Sequence, residues 1–534
     1  MKLIIVESFQ KSKILQNYFK NYKIVSCNGH IVDLDTKSLS IEKTKNKYKP
    51  YYKYINVQKK QFVQRLLQQK SGFDEIIIAS DMDEEGELIA LSLKKFLNLG
   101  INEYNRLIFH SLSKTDLLES MKQKNKINKN VIKAQQTRRM IDRLIGYKIQ
   151  KFLGPLFSIG RNQAILLQMI FDNNENFKKK KNISVITISN EEKQKIIVQL
   201  DTFMKDKFPN IILLKTYTTI QWEYPHPLLS TSSIQRLAYV YHKIDAFVCT
   251  QVLNTLYNKG LITYIRTDAQ VIHPAFIQKC IFEMKKEKKY DINYSRVNKM
   301  KNEYEKSSYP HEAIRPVKFK IPNGLSGNEK KIFDLIYFTT IENILQPIQK
   351  EVTYMDCKIG NQIKKIKIKE KFLQQGFNNL RKNTKPVKTF VPTNLKITQI
   401  ESKQIPTAFL FTKISLIQEM KHKGIATPAT YDYSIKQLLK KKYISIQKVG
   451  IKITEKGIFL LHFIKKFFPK FLHIVFIQNL YTNIESIKKK RIDQFHIIEN
   501  IDNYIHDQLT KIPKNYNLTE QWRKSIKYLK KKSG

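Results

Sequence analysis

The sequence has few cysteines, and their positions exclude two kinds of small stabilised domain. Only 4 of the 534 residues are cysteine, they lie far apart, and no CxxC pair occurs. A zinc ribbon requires such pairs, and a disulfide framework requires several cysteines at short spacings. We therefore expect no zinc and no structural disulfides.

Long apolar runs and a nucleotide-binding loop are also missing. No apolar stretch approaches the roughly 18 residues of a membrane helix. Only four apolar residues separate Lys2 from Glu7, too few for a signal peptide. No GxxxxGK[ST] loop is present, so we expect no ATP-driven step. These absences predict a cytoplasmic protein without a membrane partner.

Positive charge is what the chain has in excess. There are 95 Lys and Arg against 46 Asp and Glu, a formal net charge of +49. Such an excess favours nucleic acid as a partner, although an AT-rich genome also produces lysine-rich chains. Only 13 of the basic residues are Arg, and Arg binds phosphate with a planar fork that Lys lacks. Six of them cluster in short segments: Arg138, Arg139, Arg143, Arg161, Arg266 and Arg315.

The order of predicted elements indicates a multi-domain protein with α/β, α and β parts. Two short apolar runs predict buried strands of a parallel sheet, at 3–6 and 76–80. Helices are predicted at Lys59–Gln69 and Leu88–Leu97, and through most of 112–180, 228–347 and 408–530. Strand patterns fill 183–224 and 350–400, with a further strand-like insert at 261–266. Strands on both sides of 228–347 could pair, which would make that block an insertion on a two-stranded neck.

Five carboxylates lie in the stretch ASDMDEEGE, residues 79–87. Ligands of open α/β sheets bind beyond the carboxyl ends of the strands. If the two predicted strands are neighbours, Glu7, Asp81 and Asp83 converge, and their mutual repulsion favours a divalent cation. Mg²⁺ binds carboxylates while keeping several waters. The pattern predicts a magnesium site, and an acidic helix start is the alternative.

The stretch GLITYIRTD, residues 260–268, places a tyrosine two residues before an arginine. In an extended conformation Tyr264, Arg266 and Asp268 lie on one face with Ile262. A phenol is a poor nucleophile at neutral pH unless a cation stabilises its oxyanion. Arg266 can do this and can also hold a phosphate. With 27 tyrosines in the chain, an ordinary surface pair is the alternative.

Nine segments together indicate a family. In chain order they are IIVESFQKSK, CNGHIVDL, SDMDEEGE, TRRMIDRLIGY, SIGRNQ, STSSIQ, GLITYIRTD, HEAIRP and GIATPATY. Their order and spacing resemble the type IA DNA topoisomerases, particularly bacterial topoisomerase I, from about residue 2 to about residue 500. The resemblance implies an N-terminal Toprim domain of Rossmann-like fold and a toroidal core of helical domains and a β arch.

The resemblance also implies domain boundaries. Residues 1–125 correspond to the metal-binding Toprim domain. A discontinuous helical DNA-binding domain corresponds to 126–180 and 407–534. The β arch, which acts as a hinge, corresponds to 181–225 and 348–406, and the helical domain carrying the nucleophilic tyrosine to 226–347.

Catalytic roles follow from the same resemblance. Tyr264 matches the nucleophile that becomes linked to a 5′-phosphate and frees a 3′-hydroxyl. Arg266 matches an arginine that holds the phosphate and contacts DNA. Glu7 matches a glutamate that moves a proton to the leaving oxygen or binds metal, and Lys11 a lysine near the scissile phosphate.

Metal and DNA contacts are implied as well. Glu7, Asp81, Asp83 and Glu85 match the site for one or two Mg²⁺ ions. Other positions match residues that line the DNA path or the active site: His30, Arg138, Arg139, Asp142, Arg161, Gln163, His311 and Thr430.

The implied activity is relaxation of negative supercoils without ATP. The expected substrate is DNA, especially single-stranded or negatively supercoiled DNA, and the expected enzyme is a monomer in the cytoplasm, associated with the nucleoid. Three alternatives stay open. The chain could be the topoisomerase half of a split reverse gyrase, another Toprim-based magnesium-dependent phosphotransfer enzyme, or a degenerate protein that only binds single-stranded DNA.

The chain departs from the family pattern at three places. Glu84 stands where an arginine is common, and Ala269 stands where a serine is typical. The segment ATPAT replaces GRPST, which leaves Thr427 and Thr430 but removes an arginine and a serine. These changes put DNA affinity in question more than the nucleophile.

Overall fold

The N-terminal part of the chain folds around a three-stranded parallel sheet. The structure, a computed structural model, describes residues 1–109, 111–201, 209–287, 290–307, 311–380 and 389–532. The first elements are β1 (Lys2–Val6), α1 (Phe9–Tyr18), β2 (Tyr22–Ser26), β3 (Val32–Leu34), β4 (Ile41–Thr44), β5 (Lys47–Pro50), β6 (Tyr52–Tyr54), α2 (Val57–Gln68), β7 (Glu75–Ala79), α3 (Glu84–Phe96) and α4 (Lys114–Lys122).

Both faces of this sheet are covered. β1 lies between β2 and β7 and pairs with each in parallel, so that Val6 stands opposite Ala79. Leu3 and Ile5 pack in one apolar core, and Ile4 and Val6 pack in another on the opposite face. This burial explains why the strands are uninterrupted apolar runs. The predicted parallel strands are therefore neighbours.

The rest of the chain alternates helical and β segments. Its elements are α5 (Lys129–Leu153), α6 (Arg161–Lys178), β8 (Lys180–Ser189), β9 (Lys195–Leu200), β10 (Ile211–Glu223), α7 (Thr231–His242), α8 (Ala246–Asn258), α9 (Pro274–Glu287), α10 (Tyr294–Glu305), α11 (Gly327–Glu342), β11 (Ile348–Ile359), β12 (Gln362–Gln374), β13 (Lys396–Pro406), α12 (Lys413–His422), α13 (Tyr431–Lys440), β14 (Ile444–Gln447), β15 (Gly450–Ile453), α14 (Glu455–Phe467), α15 (Ile474–Lys488), α16 (Gln494–Thr510) and α17 (Leu518–Lys532). None of the described helices has the length and apolar composition needed to cross a membrane.

Two antiparallel sheets carry the helical insertion. One has the order β10-β11-β12 and the other β13-β8-β9, and apolar side chains from both sheets form one core. Glu223, at the end of β10, stands opposite Ile348, at the start of β11. The helices α7 to α11 therefore leave and return through two paired strands, which is the two-stranded neck that the sequence suggested.

Three local expectations need correction. Residues 261–266 form no strand; within them only Ile262 makes an isolated bridge, to Pro316. Residues 262–265 are all buried rather than alternating, because the segment crosses the core of the insertion. The C-terminal helical region contains a hairpin, β14 with β15. Helix α3 begins four residues before the predicted start, since Asp83 caps it.

One buried arginine holds the turn that follows β7. The guanidinium of Arg106 is fully buried and donates to the carbonyl oxygens of Ser80 (2.8 Å), Asp81 (2.6 Å) and Leu107 (2.6 Å). Its Nε donates to the carboxylate of Glu87 at 3.1 Å. A buried charge is tolerable only when it is paired and hydrogen-bonded, and Arg106 meets that condition while fixing the backbone of the acidic turn.

We predict that Arg106→Met destabilises the protein. It leaves the buried Glu87 carboxylate without its cation and three carbonyls without a donor, a loss of about 3–5 kcal/mol. Circular dichroism melts should show a lower midpoint than wild type, whereas the exposed control Arg65→Met should match wild type. Equal midpoints for Arg106→Met and the control would contradict this account.

Candidate active site

The acidic turn and the end of β1 lie side by side. Because Val6 is opposite Ala79, Glu7 and Asp81 leave the same edge of the sheet. The backbone N–H of Asp81 donates to Glu7 Oε2 at 3.1 Å. Burial, and then the charge of Asp81, raise the pKa of Glu7 to about 6. The predicted convergence of these carboxylates is present.

Asp83 is held as the cap of α3. Its Oδ1 accepts a hydrogen bond from the backbone N–H of Gly86 at 2.8 Å. Gly86 has no room for a side chain, since a Cβ there would lie 1.9 Å from the carbonyl oxygen of Asp81. The turn is therefore tightly closed and leaves Asp83 Oδ2 free to meet a group from elsewhere in the chain.

That group is Tyr264, from the helical insertion. Its Oη donates to Asp83 Oδ2 at 2.5 Å, and Arg266 Nη1 lies 3.5 Å from the same oxygen. The Tyr264 ring is buried, with its centroid 4.8 Å from that of His311 and 5.6 Å from that of Tyr257. Two sequence segments 181 residues apart therefore meet at one carboxylate.

The surroundings keep the phenol protonated at rest. Burial raises the pKa of Tyr264 well above its usual value, and the charges of Asp83 and Asp81 add to this effect. For Asp83, burial opposes ionisation, but Arg266 and the hydrogen bond from Tyr264 lower its pKa overall. The site therefore pairs a neutral phenol with an ionised carboxylate, the nearest acceptor for the phenolic proton.

A buried lysine neutralises Asp81. Lys11 is almost completely buried and forms an ion pair with Asp81. Its ammonium lies 5.3 Å from the centroid of the Tyr257 ring. Lys11 is therefore next to both the acids and the tyrosine side of the site.

Glu85 faces a second basic group. His30 Nε2 lies 2.5 Å from Glu85 Oε2, and Arg139 Nη1 donates to the same oxygen at 3.3 Å. Gln135 donates to the other carboxylate oxygen at 2.5 Å. Arg139 also forms an ion pair with Asp33. Burial opposes ionisation of Glu85, but His30 and then Arg139 lower its pKa overall.

The unusual Glu84 has its own cation. Lys488, the last residue of α15, forms an ion pair with Glu84, and Arg138 Nη1 lies 3.8 Å from it. The extra negative charge of Glu84 is thus balanced by a lysine from the C-terminal helical region.

The remaining predicted DNA contacts lie in two places. Arg161 is buried, with Nε 3.3 Å from Asp142 Oδ1 and its guanidinium carbon 4.8 Å from the centroid of the Tyr481 ring. Its Nη1 has no hydrogen-bond partner among the described residues. Gln163 lies one turn after Gly160 on α6. The side-chain oxygen of Thr430 accepts a hydrogen bond from the backbone N–H of Thr427 at 3.0 Å, within its own turn.

Sequence reasoning missed several side chains of the site. Tyr257, Gln135, Asp33 and Lys488 each contact a predicted residue, and Arg106 holds the acidic turn. Asp33 lies three residues after His30 within one quoted segment, which was a usable signal. Tyr257, Gln135 and Lys488 lie on helices, and Arg106 lies in the segment after α3; no local pattern distinguishes any of them.

The donor chemistry of the cluster fits magnesium. Glu7, Asp81 and Asp83 offer only oxygen ligands, which Mg²⁺ prefers. Burial and, after it, repulsion from Asp81 raise the pKa of Glu7, and a cation would relieve that repulsion. Among the described residues, no three or more ligating side chains form a ready-made metal site. Lys11 and Arg266 partner two of these acids, and Glu85 is turned toward His30 and Arg139.

Comparisons with known proteins match both the N-terminal part and the rest of the chain to known families. The chain matches the profile of the Toprim domain over residues 2–112 and of a DNA topoisomerase family over residues 126–499. It is 24% identical to DNA topoisomerase 1 of Campylobacter jejuni over 540 residues, 92% of this chain and 76% of that protein. It is 23% identical to DNA topoisomerase 1 of Helicobacter pylori over 561 residues, 96% of this chain and 75% of that protein.

The fold is shared with a solved structure. Full-length topoisomerase I of Thermotoga maritima superimposes with a TM-score of 0.81 at 21% identity, over 96% of this chain and 90% of that one. The matches define a type I DNA topoisomerase. Because the family match covers well over half of the sequence, the chain belongs to the DNA topoisomerase family and is of the bacterial type IA, topoisomerase I-like kind.

We predict that Glu7 makes stability depend on pH in the metal-free protein. Its folded pKa of about 6 exceeds the ordinary value of 4.5, so the folded state binds the proton more tightly. The stability contributed by Glu7 is therefore fully present below about pH 4.5 and is lost as the pH rises through about 6. Melting midpoints in chelator between pH 4.5 and 7 should fall less steeply for Glu7→Gln. The exposed control Glu119→Gln should follow wild type, and an unchanged slope in Glu7→Gln would refute the assignment.

Proposed function

We propose that this chain cleaves one DNA strand at Tyr264, passes another strand through the break and reseals it, which relaxes negative supercoils without ATP. The contact of 2.5 Å between Tyr264 Oη and Asp83 Oδ2 carries the proposal. It joins the nucleophile of the insertion to the acids of the N-terminal sheet, as a reaction at both would require. A Toprim-based nuclease or primase would leave this contact unexplained.

The proposed reaction is a transesterification of a DNA phosphodiester to Tyr264. Tyr264 Oη forms a bond to phosphorus while the bond from phosphorus to the 3′-oxygen breaks. Asp83 is the nearest acceptor for the phenolic proton, and Arg266 stabilises the charge on the phosphate. The leaving 3′-oxygen takes a proton, which Glu7 would supply when it is protonated and not binding metal; in the metal-free protein its pKa is about 6. The phosphotyrosine keeps the bond energy, so the reverse reaction reseals the strand.

A magnesium ion would neutralise charge on the phosphate. The residues that would hold it are Glu7, Asp81 and Asp83, with Glu85 nearby. Lys11, now paired with Asp81, would then be released toward the phosphate. We propose that further residues contact the DNA: His30, Arg138, Arg139, Asp142, Arg161, Gln163, His311 and Thr430.

Strand passage requires the insertion to move away from the sheet. The neck of β10 and β11 is the covalent link that would bend. We propose that the enzyme acts as a monomer on single-stranded or negatively supercoiled DNA in the cytoplasm, at the nucleoid. Plasmid relaxation with and without ATP distinguishes this activity from a part in a reverse gyrase.

We predict a covalent adduct at Tyr264. Incubation with labelled single-stranded DNA and Mg²⁺, followed by denaturation, should trap a protein–DNA complex that is absent in Tyr264→Phe, because phenylalanine has no nucleophilic oxygen. The control Tyr239→Phe, a half-exposed tyrosine on α7, should form the adduct normally. An adduct that survives in Tyr264→Phe would place the nucleophile elsewhere.

We predict that Asp81→Ala combined with Asp83→Ala blocks relaxation much more than DNA binding. Loss of a metal that contributes several kcal/mol should slow relaxation by more than about a hundredfold. Relaxation gels and single-stranded DNA binding measured by fluorescence anisotropy test the two effects separately. Undiminished relaxation by the double variant in chelator would refute the role of the metal.

A further inference from the structure

The sheet β10-β11-β12 has an exposed face that the proposed reaction does not use. Its register places six side chains in two adjacent cross-strand rows on this face. They are Lys215, Asp356 and Lys365 in one row and Tyr217, Tyr354 and Lys367 in the next. We call this block the arch face. The opposite side of the sheet carries Met355 and Ile366, which are buried against β8 and β9.

Aromatic rings and ammonium groups are interleaved on the arch face. The rings of Tyr217 and Tyr354 are neighbours, with centroids 6.0 Å apart. Lys365 Nζ lies 4.0 Å from the centroid of Tyr354 and 5.1 Å from that of Tyr217, and Lys215 Nζ lies 5.0 Å from Tyr217. Lysine ammonium groups therefore lie over both rings, and the Tyr354 hydroxyl also accepts a hydrogen bond from Gln221 at 3.0 Å.

A third row extends the same face with apolar side chains. Ile212, Lys358 and Ile363 stand opposite one another. Ile212 is 52% exposed and Ile363 is 66% exposed. A solvated lysine surface would not need exposed isoleucines and half-buried tyrosines between its lysines, so the general lysine excess of the chain does not explain this arrangement.

We propose that the arch face is a second docking surface for single-stranded DNA, separate from the cleavage site. Charge complementarity supports this occupant, since the three rows contain four lysines and one aspartate. Lys215 pairs with Asp356, and Lys367 pairs with Glu370, so Lys358 and Lys365 contribute most of the excess positive charge. Unpaired bases stack on aromatic rings while lysines follow the phosphates. Phosphates draw Lys365 and Lys215 away from the rings, which then become available to bases. Duplex DNA hides its base faces and would use the lysines alone.

The proposal rests on the proposed function. The experiment is designed so that DNA binding at the arch face and the cleavage reaction are measured independently. All binding is measured in the Tyr264→Phe background, where cleavage is absent, by anisotropy with a labelled oligothymidine. Tyr217→Ala with Tyr354→Ala should weaken binding at least about fivefold, since each stacked base contributes about 1–3 kcal/mol. An abasic strand of equal length should bind both proteins equally. The matched control is Tyr104→Ala, an exposed tyrosine that also lies under a lysine, Lys126.

The lysines are tested by salt dependence. Lys365→Ala with Lys367→Ala should lower the log–log salt slope of binding by roughly 0.7 for each lost phosphate contact, whereas Lys45→Ala with Lys47→Ala, on the exposed β4–β5 hairpin, should not. Binding by the tyrosine variant equal to that of Tyr104→Ala overturns the proposal. Unchanged DNA binding together with loss of a dimer in sedimentation would assign the face to a second copy of the chain instead. Adduct formation with Tyr264 intact reports on the cleavage reaction independently.

Discussion

The hydrogen bond from Tyr264 Oη to Asp83 Oδ2 is the interaction on which the site depends. It forms between a buried phenol and a partly buried carboxylate, where the reduced dielectric strengthens it. The two side chains belong to separate parts of the fold, the inserted helices and the N-terminal sheet. If the insertion moves away from the sheet as proposed, this hydrogen bond breaks, and the proposed nucleophile would meet the acids only in the closed arrangement.

Contacts of the acidic turn fix its backbone and balance its negative charges. Arg106 binds its backbone, Gly86 permits its tight closure, and Asp83 caps the helix that follows. Each acid also has a cation from another element: Lys11 for Asp81, and Lys488 for Glu84. In this resting arrangement the protein itself supplies the positive charge. Binding of a metal and a phosphate would exchange these partners rather than introduce charge into an empty site.

The structural features that were predicted correctly are those that patterns of neighbouring residues specify. The buried strands at 3–6 and 76–80 were readable because a sheet covered on both faces requires uninterrupted apolar residues, and their parallel pairing brings Glu7 to Asp81. The neck was readable from β segments on both sides of a helical block. The prediction of a strand at 261–266 was wrong. It rested on side chains alternating between two faces, whereas residues 262–265 are all buried in the core of the insertion.

By itself the sequence determined the order of the elements, the acids after the second buried strand, the tyrosine and arginine pair, and the resemblance of nine motifs to one enzyme family. Only the tertiary structure decided which partner each charge has. Tyr257 beside Tyr264, Lys488 on Glu84 and Arg106 beneath the turn all come from distant or featureless positions. Such contacts form because helices and sheets pack against one another. The residues that meet there are far apart along the chain, and no local sequence pattern marks them.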